Sequence, residues 1–184
     1  RGKVDSVTDD IGTLLRDMYQ NYSPSIGLDY NARYYNGTPL RPVVPLDCGI
    51  GLLFILGAYP SSRFLTVGTL TDVPAADNLA PFENERWFDG SRVRSQPSAI
   101  ELHKCFLKPL DIDRTKCWVT DLVKVFLFKH GHVDRYKILG FAPPVGYERE
   151  RFFELGLCSL NWIRRELEIA RPRLLITLGA EVAG

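Results

Sequence analysis

The sequence predicts a mixed α/β domain built on a parallel β-sheet, and three observations carry that reading. Residues 50–56 (IGLLFIL), the β-rich run within 117–128 (CWVTDLVKVFLF) and residues 173–178 (RLLITL) are continuously rather than alternately apolar. Continuous hydrophobicity marks strands buried on both faces, as strands of parallel sheets are. Helical patterns separate the runs, so the order is strand, helix, strand, helix, strand, the βαβ pattern. Right-handed crossovers then place the strands in one sheet.

Each element has its own local signal. Residues 9–19 read as the first helix: Asp9 or Asp10 caps it, and Ile11, Leu14, Leu15 and Met18 recur at helical spacing. A stretch rich in Tyr, Asn, Gly and Pro follows from 21 to 45; long irregular segments of this kind are often functional or mobile. Gly49 and Gly57 bound the first strand. Residues 98–107 form the next helix candidate, with Pro97 suited to its first turn. The clearest helix is 147–170, where Phe152, Leu155, Leu160, Ile163 and Leu167 lie at near-helical spacing and Pro172 ends the pattern.

Composition narrows the function classes. The chain has 184 residues, 45% apolar and 24% charged, which fits one globular domain with a sizeable core. No internal repeat and no composition shift divides it. The chain opens on Arg1 and closes on Gly184 just after an apparent strand, so a single domain over 1–184, cut short at both ends, is expected. Twenty-three basic residues against 22 acidic give a net charge of +1, which argues against an obligate polyanion binder but leaves room for a local basic face. No apolar run approaches the ~20 residues a bilayer demands, and no signal peptide is visible. Cys48, Cys105, Cys117 and Cys158 include no CxxC pair and read as reduced thiols of a cytoplasmic protein.

Ligands of open parallel sheets bind outside the carboxyl ends of the strands. Three loops are therefore of interest: after Leu56, around Thr120–Lys124, and after Leu178. The first, Gly57-Ala58-Tyr59-Pro60-Ser61-Ser62-Arg63, turns sharply at Gly57 and offers backbone N–H groups and hydroxyls to a phosphate or a base edge. Taken alone it reads as a strand-exit turn; it is neither a P-loop nor a GxGxxG loop. The third loop leads out of the last apparent strand.

Thr120-Asp121-Leu122-Val123-Lys124 sets a carboxylate inside an apolar run, so Asp121 is paired with a group such as Lys124, caps a loop, or is functional. Elsewhere, Trp87-Phe88-Asp89-Gly90-Ser91 is flanked by Arg86, Arg92 and Arg94. Aromatics interleaved with arginines suit a nucleic-acid surface, and equally a plug over the sheet. His130-Gly131-His132 reads as a solvated loop rather than a metal site, and His103 as a surface residue.

Together these segments resemble the uracil-DNA glycosylase superfamily. Gly57–Pro60 is similar to the family's Gly-x-x-Pro loop behind its first strand, and Phe88 to the ring that stacks on uracil. Thr120-Asp121-Leu122-Val123-Lys124 is similar to its Thr-Asn-x-x-Lys pattern, and 158–179 to its helix and the strand ending Leu-Gly. The likeness spans roughly 49–184 and rests on order and spacing; the iron–sulfur thermostable branch looks nearest. The resemblance implies a three-layer α/β sandwich with a central four-stranded parallel sheet. It also implies a DNA partner, a monomer, and hydrolysis of the N-glycosidic bond of an extruded, damaged base.

The sequence departs from the family pattern at the places that matter for chemistry. Ala58 and Tyr59 stand where the family has an acid or amide that positions water, leaving Tyr59 to hold water or touch the base. Asp121 replaces the uracil-reading Asn, so either it is protonated or a base richer in donors is read. The family's His-Pro-Ser segment belongs after Leu178, beyond the residues present. Cys158 matches one cluster ligand but Val125 stands at another, so no iron–sulfur cluster, and no other cofactor, is expected. Three readings follow: a glycosylase with altered chemistry using Asp121 as base or base-reader, with Phe88 stacking and Lys124 near phosphate; a non-catalytic nucleic-acid or nucleotide binder on the same scaffold; or an interaction domain that keeps only the core.

Overall fold

A computed structural model describes residues 2–183. Helix α1 (Gly2–Ser25) leads through an irregular segment to β1 (Leu53–Gly57). A hairpin of β2 (Ser62–Val67) and β3 (Leu70–Asp77) follows, then a second, short hairpin of β4 (Arg86–Phe88) and β5 (Val93–Ser95). The chain continues through α2 (Pro97–Glu101), a π-helical turn (Leu102–Leu107), β6 (Cys117–Asp121), α3 (His130–Ile138), α4 (Phe152–Ala170), β7 (Leu174–Thr177) and α5 (Ala180–Ala183).

The three apolar runs become the parallel sheet, in the order β6-β1-β7. Every residue of β1 and β6 is buried, which is why both runs are continuously apolar. The sheet has three strands, not the expected four. The strand-forming residues between β1 and β6 pair with one another instead, because the two-residue turn at Gly68-Thr69 joins β2 to β3. A tight turn can only produce an antiparallel pair; a parallel neighbour needs a long crossover. Strand β7 is left as an edge, with Leu174 and Leu175 exposed.

Helices cover both faces of the sheet. On one face, Leu14, Met18 and Tyr22 of α1 and Leu155, Trp162 and Ile163 of α4 pack with Phe54 and Trp118. The Phe54 and Trp118 rings stack at 6.4 Å and 6°. On the other face, Leu53, Ile55, Cys117 and Val119 meet Leu102 and Leu107. Each such side chain contributes roughly 1.5–3 kcal/mol by leaving water.

Some boundaries differ from expectation. The first helix is longer at both ends, so Asp9 and Asp10 lie within it rather than capping it. The helix expected over 98–107 is a short α-helix that widens into the π-helical turn. His130-Gly131-His132 opens α3 instead of lying in a loop, with Lys129 as its N-cap. The helix expected from 147 begins as a 3-10 turn at Arg149–Arg151. Among the described residues, no helix is long and apolar enough to cross a membrane.

Candidate active site

The parallel register sets Gly57 directly opposite Asp121 at the carboxyl ends of β1 and β6. The pairing continues past both strands: Leu122 N–H donates to Gly57 O at 2.8 Å and Val123 N–H to Ala58 O at 2.9 Å. The first loop and the Thr120–Lys124 segment are thus fastened side by side. Gly57 is required there, because a Cβ would lie 2.2 Å from Asp121 Oδ1 and 2.6 Å from Phe82 Cε2. The Asp121 carboxyl and the Phe82 ring both press against the bare Gly57 Cα.

Asp121 is 2% exposed, and its carboxyl makes no hydrogen bond among the described residues. Burial pushes its pKa up from 3.8 to about 7; the Lys124 ammonium opposes that rise and the Glu166 carboxylate adds to it. Its nearest cation is committed elsewhere. Lys124 Nζ donates to Thr120 Oγ1 at 2.5 Å and to the Asp121 carbonyl at 2.7 Å, and it pairs with Glu166. The Trp118 indole N–H donates to the other Glu166 oxygen at 2.7 Å. Lys124 and Glu166 are completely buried. The expectation that Lys124 lies near phosphate is therefore corrected: its ammonium belongs to an internal network under the sheet. Thr120 is part of the same network and is equally buried.

Tyr59 is half-buried with its ring 5.8 Å from that of Phe152, and its hydroxyl accepts from Arg149 Nε at 2.8 Å. Arg149 in turn pairs with Glu181. Ala58 is half-buried, and Pro60 is buried behind the loop. No carboxylate belongs to this loop.

Phe88 sits apart from these residues. It lies on β4, opposite Val93 of β5, and both side chains are exposed. The ring that faces the strand ends is Phe82, which the sequence reading passes over. Phe82 has φ of +53°, a conformation uncommon outside glycine. Arg114 holds it there, donating to Phe82 O at 2.7 Å and Pro81 O at 3.2 Å while bonded to Asp47 at 2.7 Å. No short-range pattern reveals this, since Arg114 lies 32 residues away.

The aromatic and arginine cluster forms a second, open site. Phe64, Trp87, Arg92, Arg94 and Asp72 line a groove of about 450 Å³. Arg94 bridges Asp72 and Asp89 at 2.6 and 3.0 Å, and Trp87 donates to Phe64 O at 2.9 Å. Asp89 shapes the hairpin turn by accepting from Ser91 N, Ser91 Oγ and Arg92 N; these bonds hold its pKa down at about 2. Arg86 and Phe88 are exposed beside this frame, and Arg92 is exposed at the rim of the groove.

His103 is exposed on the π-helical turn, whereas His132 packs 5.4 Å from Phe64 and 5.5 Å from Phe126. Burial lowers its pKa to about 4. The four cysteines are free thiols, and no group of three or more His, Cys, Asp or Glu among the described residues is placed to hold a metal. Comparison with protein-family models, with characterised proteins and with solved structures finds no match to this chain.

Proposed function

We propose that this chain is a glycosylase-like, DNA-directed protein whose working group is Asp121, acting as a monomer in the cytoplasm. The observation that carries this reading is a buried carboxyl without hydrogen bonds among the described residues, at the carboxyl end of a parallel strand, poised near pH 7 beside an aromatic ring. Protonated, it offers one O–H donor and one acceptor, the pair with which a carboxamide meets a base carbonyl and N–H. Ionised, it accepts the proton of a water that attacks the sugar C1′, while the C1′–N bond breaks and its electron pair leaves with the base. A base poised near the working pH is the efficient choice. Phe82 supplies the flanking ring, and the outward Phe88, Arg86 and Arg92 supply a surface for the strand.

A strand-cleavage assay on oligonucleotides carrying uracil, hypoxanthine or xanthine, with alkali to reveal abasic sites, tests the proposal. Product from the wild type and its loss in Asp121→Asn support it; product that survives the substitution removes Asp121 from the chemistry.

A second reading, a non-catalytic nucleic-acid binder, draws on the first loop. Ala58 has no polar group, and the Tyr59 hydroxyl is already held by Arg149. Bound DNA with no abasic product on any base would favour it. Under either reading Phe88→Ala should weaken binding of single-stranded DNA by ~1–3 kcal/mol, the size of one base–aromatic stack. Unchanged affinity would take Phe88 out of the interface.

A further inference from the structure

The segment between α3 and α4 carries a run that neither reading uses, Phe141-Ala142-Pro143-Pro144-Val145. It belongs to no helix and no strand. Each proline fixes its own φ and pushes the residue before it into extended backbone, so Ala142 and Pro143 are extended by sterics alone. Tyr147 N–H then donates to Pro144 O at 3.5 Å, and Gly146 has φ of +91°. A positive φ at the third position, after a residue without one, marks a type II turn, whose second residue keeps polyproline-like dihedrals. Residues 142–145 are thus a little over one turn of polyproline II helix, about 12 Å long.

The run is displayed rather than packed. Three residues per turn put Ala142 and Val145 on one edge. Both are exposed, Val145 to 87%, while the two prolines beside them are half-buried. The N–H groups of Ala142 and Val145 and the carbonyls of Ala142, Pro143 and Val145 make no hydrogen bond among the described residues. Apolar side chains and backbone acceptors are therefore offered to the outside together.

Both ends of the run are pinned. At the first, Phe141 N–H donates to Tyr136 O at 2.9 Å, and the Phe141 ring packs edge-on against Tyr35 at 5.9 Å. At the second, Arg151 Nη1 donates to Gly146 O at 3.2 Å, and the hydroxyl of the buried Tyr147 donates to Asp29 O at 2.9 Å. The fold already holds the extended shape, so little conformational entropy remains to be lost on binding.

A rigid polyproline II run with open carbonyls suits a groove of aromatic side chains. Rings pack on the prolines and their apolar neighbours, and an indole N–H or phenol O–H donates to a carbonyl. We infer that residues 141–145 are a preformed ligand for an aromatic-lined, polyproline-reading groove on a partner protein. The run contains no charged side chain, so the contact is apolar and nearly insensitive to salt, unlike a contact with nucleic acid.

Amide-detected NMR of the whole chain, titrated with a set of purified WW domains, tests this. Saturable shifts should centre on Phe141, Ala142 and Val145, with affinity changing less than about twofold between low and physiological salt. Val145→Asp, at an exposed position, and Pro143→Ala should each weaken binding about tenfold. Leu157→Asp puts the same charge on an exposed leucine of α4 and should leave the affinity unchanged. Asp121→Asn should leave it unchanged too, because the run shares no residue with the strand-end site; the test therefore stands whether or not that site is catalytic. The inference is overturned if no domain gives saturable shifts, if affinity survives both substitutions in the run, or if Leu157→Asp causes the same loss. Shifts in the run that appear with single-stranded DNA and not with the domains would also overturn it, and would assign the run to nucleic acid.

Discussion

Replacing Asp121 by Asn should make the protein more stable at pH 8 than the wild type, and this follows from the burial of one carboxyl. In the unfolded chain Asp121 titrates near 3.8; in the fold it titrates near 7. Below pH 3.8 both states carry the proton and the residue contributes nothing to the pH dependence. Between 3.8 and 7 the unfolded chain releases its proton while the folded chain keeps it, so folding becomes less favourable as pH rises. Above 7 the loss levels off. A rise from 3.8 to about 7, at ~1.4 kcal/mol per pH unit, amounts to about 4 kcal/mol. Asparagine has the same shape and no proton to lose. Urea denaturation of both proteins at pH 5 and pH 8 reads the difference. The stability of Asp121→Asn relative to wild type should increase by several kcal/mol from the lower to the higher pH. Asp77, raised to about 6 mainly by burial, contributes a slope of the same sign, but it is present in both proteins and cancels. An identical difference at the two pH values would show that Asp121 ionises normally in the fold, and the functional reading built on it would fall as well.

Two other outcomes are expected. Gly57→Ala puts a methyl group into space held by Asp121 Oδ1 and the Phe82 ring, so thermal denaturation should show a loss of about 1–3 kcal/mol; an unchanged melting temperature would mean that the two groups are not pressed on Gly57. His132, held among Phe64 and Phe126, should titrate near pH 4 by NMR rather than near 6.5. Because its folded pKa is depressed, the stability it contributes is present above 6.5 and lost as pH falls through 4. Titration at the ordinary value would place the ring in solvent.

What the sequence discloses is whatever a residue's own neighbours determine. Strands β1 and β6 and helix α4 were legible because burial imposes a pattern that the chain displays locally, whereas β7 was legible from its continuous apolar run although none of its four residues is buried. The β2–β3 hairpin carried a weaker signal. Gly68 sits between Phe64-Leu65 and Leu70, but Arg63, Asp72 and Pro74 interrupt the alternation, because the strands are only partly buried and their register shifts twice. Phe82 was hidden altogether, since its backbone is set by an arginine far along the chain. Asp121 stood out as a carboxylate in an apolar run. Its protonation state did not, because the group that claims Lys124 lies 42 residues away on α4.

That competition yields a last test. Lys124 stands close enough to Asp121 to lower its pKa, yet its ammonium is bound to Glu166, Thr120 and a carbonyl. Glu166 thereby acts twice on Asp121: its own negative charge disfavours a second one nearby, and it offsets Lys124, the only buried Lys or Arg among the described residues. Glu166→Gln keeps the shape and the capacity to accept from Trp118 while removing that charge. The variant should be destabilised, because a buried ammonium loses its counter-ion. The Asp121 carboxyl should respond by taking over as that counter-ion, so its titration, followed by carboxyl-carbon NMR, should move from about 7 toward the ordinary carboxylate range. A midpoint that stays near 7 in a folded variant would mean that desolvation alone sets the proton affinity of Asp121. The Lys124–Glu166 pair would then be architecture under the sheet, with no part in poising the site.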